Sequence, residues 1–162
     1  SVNVHPLIYG GGQEKGFRSG TENLFAIKQF EFAATKKFAA LESDYQKIAA
    51  LNRYFRENLR GDIFEILSSP QASPYILSIS AKGLRGEVLL HMLDDEGVVV
   101  GTGSACSSKN RYSRVILACG IREKNADGVL RISFSGQNTM DEAERAVSIF
   151  NRCAGALAEK MR

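Results

Sequence analysis

Apolar residues recur at steps of three and four from Leu24 to Phe55, through Ile27, Phe30, Ala34, Phe38, Leu41, Tyr45, Ile48 and Leu51. A stripe with that spacing marks one face of an amphipathic helix. Thr21 stands where a cap would, and Glu22 falls in the first turn, where a carboxylate suits the helix dipole. No proline or glycine interrupts the pattern before Gly61. It therefore predicts a long helix over residues 22–59, bent or broken near Ser43.

Beyond Gly61 the texture shortens. The runs IFEIL (63–67), YILSIS (75–80) and VLRISFS (129–135) read as strands, and VVV (98–100) as a buried strand leading into a glycine-rich loop. In the third run Leu130, Ile132 and Phe134 share one face, and Arg131, Ser133 and Ser135 the other. GEVLLHMLDDEG (86–97) reads as a helix ended by Gly97, and SRVILACG (113–120) as a short one ended by Gly120. The last helix spans 138–161, opened by Thr139 and Glu142 at capping-box spacing. Strands separated by helices predict a small sheet covered by helices, of α/β or α+β type.

A hydrophobic fraction of 44% supports a real core and argues against wholesale disorder. The net charge of +3 is small and its basic residues are scattered, which argues against a clustered nucleic-acid footprint. No apolar run has membrane-spanning length. Three cysteines, Cys106, Cys119 and Cys153, with no C-x-x-C pair, argue against a disulfide framework or zinc site and fit a cytosolic setting.

Candidate chemistry sits in three places. Cys106 lies in GTGSACSSKN (101–110), among glycines, serines and an alanine, where nothing packs a core. It is either a reachable, reactive thiol near Lys109 and Arg111 or a small loop residue. Cys119 and Cys153 lie in helical patterns beside apolar residues and read as packing residues. GGGQEKGFRSGT (10–21) lacks the G-K-[ST] of a P-loop and the third glycine of a dinucleotide fingerprint. Arg18, Thr21 and N–H groups at a helix start would still suit a phosphate, the alternative being a plain capped turn. Arg131 could hold a carboxylate bidentately or be a solvated strand arginine.

Together, GGGQEKGFRSGT, GTGSACSS with SRVILACGI after it, and LRISFSGQNT resemble the C-terminal part of a cysteine desulfurase. These are pyridoxal 5'-phosphate enzymes of the class V aminotransferase group, with the fold-type I architecture. The resemblance covers nearly the whole chain. It implies that Cys106 is the nucleophile that takes sulfur from L-cysteine as a persulfide, leaving alanine, and passes it to a sulfur-acceptor protein. The uninterrupted SACSS matches the longer-loop group. Thr21, with Ser19 and Gly20, matches the contact to the cofactor phosphate of the neighbouring subunit in a homodimer. Arg131 matches the arginine that binds the substrate carboxylate.

Two departures carry expectations of their own. SSKNRY, between Cys106 and Ser113, is about one residue shorter than the family pattern and lacks its Glu-Pro, so loop reach or acceptor preference differs. The S-x-H-K stretch that carries the cofactor lysine does not occur in these residues. The chain is then expected to hold the end of a large domain (1–21), a linking helix (22–59) and a small domain (60–162), inactive alone. The alternatives are a non-enzymatic relay accepting persulfide at Cys106, or a relative acting on another amino acid.

Overall fold

Three strands, β1 (Phe64–Ile66), β2 (Ile76–Ala81) and β3 (Val129–Ser133), form an antiparallel sheet in chain order. The computed structural model describes residues 4–102 and 113–161. These fall into two compact units, Ser1–Leu41 and Glu42–Arg162. The sheet belongs to the second, with helices α2 (Leu41–Asn58), α3 (Gly86–Asp95), α4 (Arg114–Ala118), α5 (Glu123–Ala126) and α6 (Met140–Lys160). The first unit holds a 3-10 turn (Glu14–Gly16) and α1 (Leu24–Ala39).

Register places Leu77 opposite Ile132 and Ile79 opposite Leu130, so the buried positions of β2 and β3 share one face. That face meets aromatic rings from two helices. Phe55 of α2 lies edge-on to Phe134, with centroids 5.2 Å apart, and Phe150 of α6 lies 6.0 Å from both Phe55 and Phe64. Leu89 and Leu93 of α3 complete the core at full burial. The other face of β2 is not open either. Ser80 is fully buried, and its hydroxyl donates to the Asn125 carbonyl of α5 at 2.6 Å.

The apolar stripe that predicts one helix over 22–59 is shared by two helices parted at Ala40, whose φ of −99° and ψ of 1° leave the helical region. Of the stripe only Ile48, Leu51 and Phe55, in the later turns of α2, are buried; Leu41 and Tyr45 of α2 are exposed, as are Phe30 and Phe38 of α1. Asn23, not Thr21, caps α1, accepting the Ala26 N–H at 3.0 Å, so Glu22 lies before the helix rather than in its first turn.

VVV (98–100) is not a strand. Gly97, at φ +78°, turns the chain off the end of α3, and Val98 N–H is taken by the Leu93 carbonyl. The segment then stands off from β3 around an open cleft of about 410 Å³, and Val99 is 82% exposed. Among the described residues, no helix is long and apolar enough to cross a membrane.

The capping box of α6 forms as read. Thr139 Oγ1 accepts the Glu142 N–H at 3.2 Å, and Glu142 accepts the Thr139 N–H at 3.0 Å. Thr139→Ala is expected to cost about 1 kcal/mol of unfolding free energy, read from the urea midpoint. The Thr139 N–H and then the Asn138 side chain hold the Glu142 carboxyl below the usual carboxylate range. A depressed folded value stabilises above the unfolded value and is lost as pH falls through the folded one. The deficit of Glu142→Ala relative to the natural protein should therefore be present at neutral pH and shrink in acid.

Candidate functional site

Arg131 occupies the middle of β3, opposite Ser78 of β2 and on the face away from Leu130 and Ile132, as the alternation predicts. On the other edge of β3 the chain returns from α3, and Gly101 pairs with Arg131 in an isolated antiparallel bridge. Gly101 N–H donates to the Arg131 carbonyl at 2.9 Å, and Arg131 N–H donates to the Gly101 carbonyl at 2.7 Å. The strand arginine and the first residue of GTGSACSS are thus fixed to each other by two main-chain hydrogen bonds. Cys106 itself lies outside the described residues, five positions beyond Gly101.

The Arg131 side chain is exposed and has no ion pair or side-chain hydrogen bond among the described residues. A guanidinium with its whole donor fork open can take a carboxylate through two parallel N–H donations. The chain just after β3 is anchored from α2, where Lys47 Nζ donates to the Gly136 carbonyl at 2.8 Å. Asn138 Oδ1 accepts the Ser135 N–H at 2.9 Å and tightens the same turn.

In the first unit the loop from Ile8 to Thr21 closes on itself. Ser19 N–H donates to the Ile8 carbonyl at 3.3 Å, and Gly20 N–H donates to Gln13 Oε1 at 3.1 Å. Ser19 is buried, and a Cβ at Gly10 would stand 3.1 Å from the Ser19 Cβ, so the glycine run folds directly over Ser19. Gly20 has φ +106°, a conformation that favours glycine. Arg18 Nη1 donates to the carbonyls of Gly20 (3.0 Å) and Thr21 (2.9 Å). Thr21 is exposed, and neither its hydroxyl nor its N–H has a partner among the described residues. A free hydroxyl, a free N–H and an adjacent guanidinium are donors that suit a phosphate dianion.

Two of these residues carry no local signal in the sequence. Gln13 holds the Gly20 N–H, and Gly101 pairs with Arg131; neither has a local pattern that signals its partner. Asn23 did have one, since it immediately precedes the first apolar residue of α1.

The two described thiols differ. Cys153 of α6 is buried, its Sγ 3.8 Å from the Met92 carbonyl, and burial holds the thiol above its ordinary pKa. Cys119 is exposed rather than packed. Its helix is a single turn, too short to bury an end, and Cys119 is the C-cap.

The model of the aminotransferase class-V family matches residues 3–146. A NifS/IcsS protein homolog of Lactobacillus delbrueckii subsp. bulgaricus is 36% identical over 151 residues, covering 90% of this chain and 39% of its own. The cysteine desulfurase IscS 1 of Archaeoglobus fulgidus is 32% identical, covering 91% of this chain and 40% of its own. The solved structure of a NifS-like protein superposes with a TM-score of 0.81 at 28% identity, over 95% of this chain and 40% of that one. The chain thus spans about two fifths of the length of these relatives.

Proposed function

The chain belongs to the class-V aminotransferase family, and from that premise we propose that residues 1–162 are the substrate-binding and sulfur-accepting portion of a cysteine desulfurase. The observation that carries the reading is the open Arg131 guanidinium, tied to Gly101, five positions before Cys106 in the sequence. The similarity to NifS-like and IscS proteins supports it.

In this reading Arg131 holds the carboxylate of L-cysteine and sets its orientation. Cys106 attacks the substrate sulfur as a thiolate. The Cβ–S bond breaks, an S–S bond forms on Cys106, and Cβ gains a proton, so the products are alanine and an enzyme persulfide. Pyridoxal 5'-phosphate, when bound, supplies the electron sink that labilises the substrate's bonds. Thr21, Gly20 and Ser19 are the residues for its phosphate, a fit supported by the free Thr21 hydroxyl and N–H beside Arg18. The cofactor lysine belongs to sequence other than these residues, so the chain by itself does not turn over. The apolar face that α1 leaves exposed accords with further protein packing there. A homodimer, a cytosolic setting and a sulfur-acceptor protein as the persulfide's destination complete the proposal.

The test uses the full-length gene product with pyridoxal 5'-phosphate, L-cysteine and a thiol reductant. Alanine and sulfide are expected in equal amounts. Turnover of cysteine without alanine would overturn the reading. Absence of turnover, with Cys106 loaded by a separate persulfide donor, would establish the relay instead.

A further inference from the structure

Gly101 is a glycine whose backbone does not need to be one. Its φ lies outside the left-handed region, and it sits in an ordinary antiparallel bridge. Any L-residue could adopt that backbone. What a side chain would meet is Arg131. A Cβ at position 101 would stand 3.1 Å from Arg131 Nη2 and 3.5 Å from both Cζ and Nε. The guanidinium therefore lies along the space that a side chain at 101 would occupy.

Nothing else among the described residues fixes that guanidinium, which has neither an ion pair nor a side-chain hydrogen bond. A flexible arginine with no partner is held only by what it packs against. We propose that Gly101 is a positioning residue for substrate binding. By leaving its Cβ space empty, it lets the Arg131 guanidinium lie against the main chain at position 101, with donors free for the substrate carboxylate. The two main-chain bonds of 2.7 and 2.9 Å keep that space in fixed register with Arg131. A larger residue at 101 keeps those bonds but pushes the guanidinium out of its rest position, so the carboxylate is met at a worse angle or through one donor only. Position 101 thereby sets how tightly the site holds a carboxylate without touching it.

This inference rests on the assignment of Arg131 as the carboxylate residue, and the experiment separates the two. Gly101→Ala, Gly101→Val, Arg131→Ala and the double variant Gly101→Val/Arg131→Ala are made in the full-length product with pyridoxal 5'-phosphate. The readouts are KM and kcat for L-cysteine, the dissociation constant of L-alanine by calorimetry, and Tm. Gly101→Val should raise KM and the L-alanine Kd about tenfold while kcat changes less than about twofold, as expected for losing one charge-assisted bond of a pair. Gly101→Ala should fall between Gly101→Val and the natural protein. In the Arg131→Ala background Gly101→Val should cost nothing more, a coupling that a purely structural role would not give.

If Arg131→Ala weakens both constants and Gly101→Val leaves them unchanged, the positioning role is overturned and the Arg131 assignment stands. If Arg131→Ala leaves them unchanged, the assignment itself fails. If Gly101→Val lowers Tm, Gly101→Ala decides, and an unchanged KM and Kd there would also overturn the role.

Discussion

Replacement of Gly128 by alanine is expected to remove a large part of the stability of the sheet-bearing unit. Gly128 leads from α5 into β3, and its φ lies outside the left-handed region, so an alanine could adopt the backbone. The space is what fails. A Cβ there would overlap the Ala81 carbonyl oxygen and stand 2.9 Å from the Ala81 carbonyl carbon and 3.0 Å from the Leu84 carbonyl oxygen. All three are main-chain atoms, and they cannot turn aside as a side chain can. The segments are also hydrogen-bonded in place: Ala81 N–H donates to the Gly128 carbonyl at 2.9 Å, and the Ala81 carbonyl accepts the Leu84 N–H at 3.1 Å. Relief of the clash means breaking the contact between the end of β2 and the start of β3.

Overpacking a core side chain typically costs about 1–3 kcal/mol. A clash against immobile backbone belongs at or above the top of that range, about 3–5 kcal/mol, which is a large part of the 5–15 kcal/mol of an ordinary domain. The urea midpoint and Tm are the measurements, and a loss below about 1 kcal/mol would show that the two segments can part cheaply. Gly86 faces the same place from the other side, where a Cβ would stand 2.9 Å from the Asp127 carbonyl oxygen and 3.3 Å from Val129 O. Because both substitutions press on residues 127–129, Gly86→Ala and Gly128→Ala together should cost less than the sum of each alone.

Gly128 also marks how far the sequence could be read. It stands where turn chemistry is expected, and turn is all that a local reading gives it; backbone approach across forty-odd residues leaves no local trace. Features with a period were legible. The alternation of VLRIS places Leu130 and Ile132 inward and Arg131 outward, and the α6 stripe and its capping box appear as read. Features without a period were not. The α5 helix is one turn of EKNA, too short to show any repeat. The β-branched run at 98–100 has strand composition, but Gly97 sends it away from β3, and among the described residues of this segment Gly101 alone pairs. Cys119 shares the helical context of Cys153 and none of its burial, because a five-residue helix has no interior. For the site the same division holds: Arg131 is visible as the charged residue on the polar face of an alternating strand, whereas Gln13 and Gly101 become visible only through their partners.

Cys106→Ala in the full-length product should abolish persulfide formation, while Cys119→Ala and Cys153→Ala should leave it near the natural level. Persulfide chemistry needs a thiolate that reaches the substrate and then leaves with its sulfur. Cys153 meets neither need: it is buried in α6, and burial raises its pKa away from the thiolate form. Cys119 is reachable, yet it sits as the cap of a helix, and exposure alone neither aligns a thiol with a bound substrate nor lets it travel. Cys106 stands among Ser104, Ala105, Ser107 and Ser108, five residues past a glycine that is hydrogen-bonded to the carboxylate-binding candidate. Loss of a nucleophile with no substitute typically lowers turnover by about 10⁴-fold or more. Alkylation of the resting enzyme after one exposure to L-cysteine, followed by peptide mass analysis, should find the added sulfur on the Cys106 peptide. Sulfur on Cys119 instead, or alanine formation surviving Cys106→Ala at the natural rate, would move the acceptor role off Cys106. The L-alanine Kd should stay within about threefold in Cys106→Ala, since carboxylate binding belongs to Arg131 and removal of a group used only in the chemical step does not weaken ground-state binding.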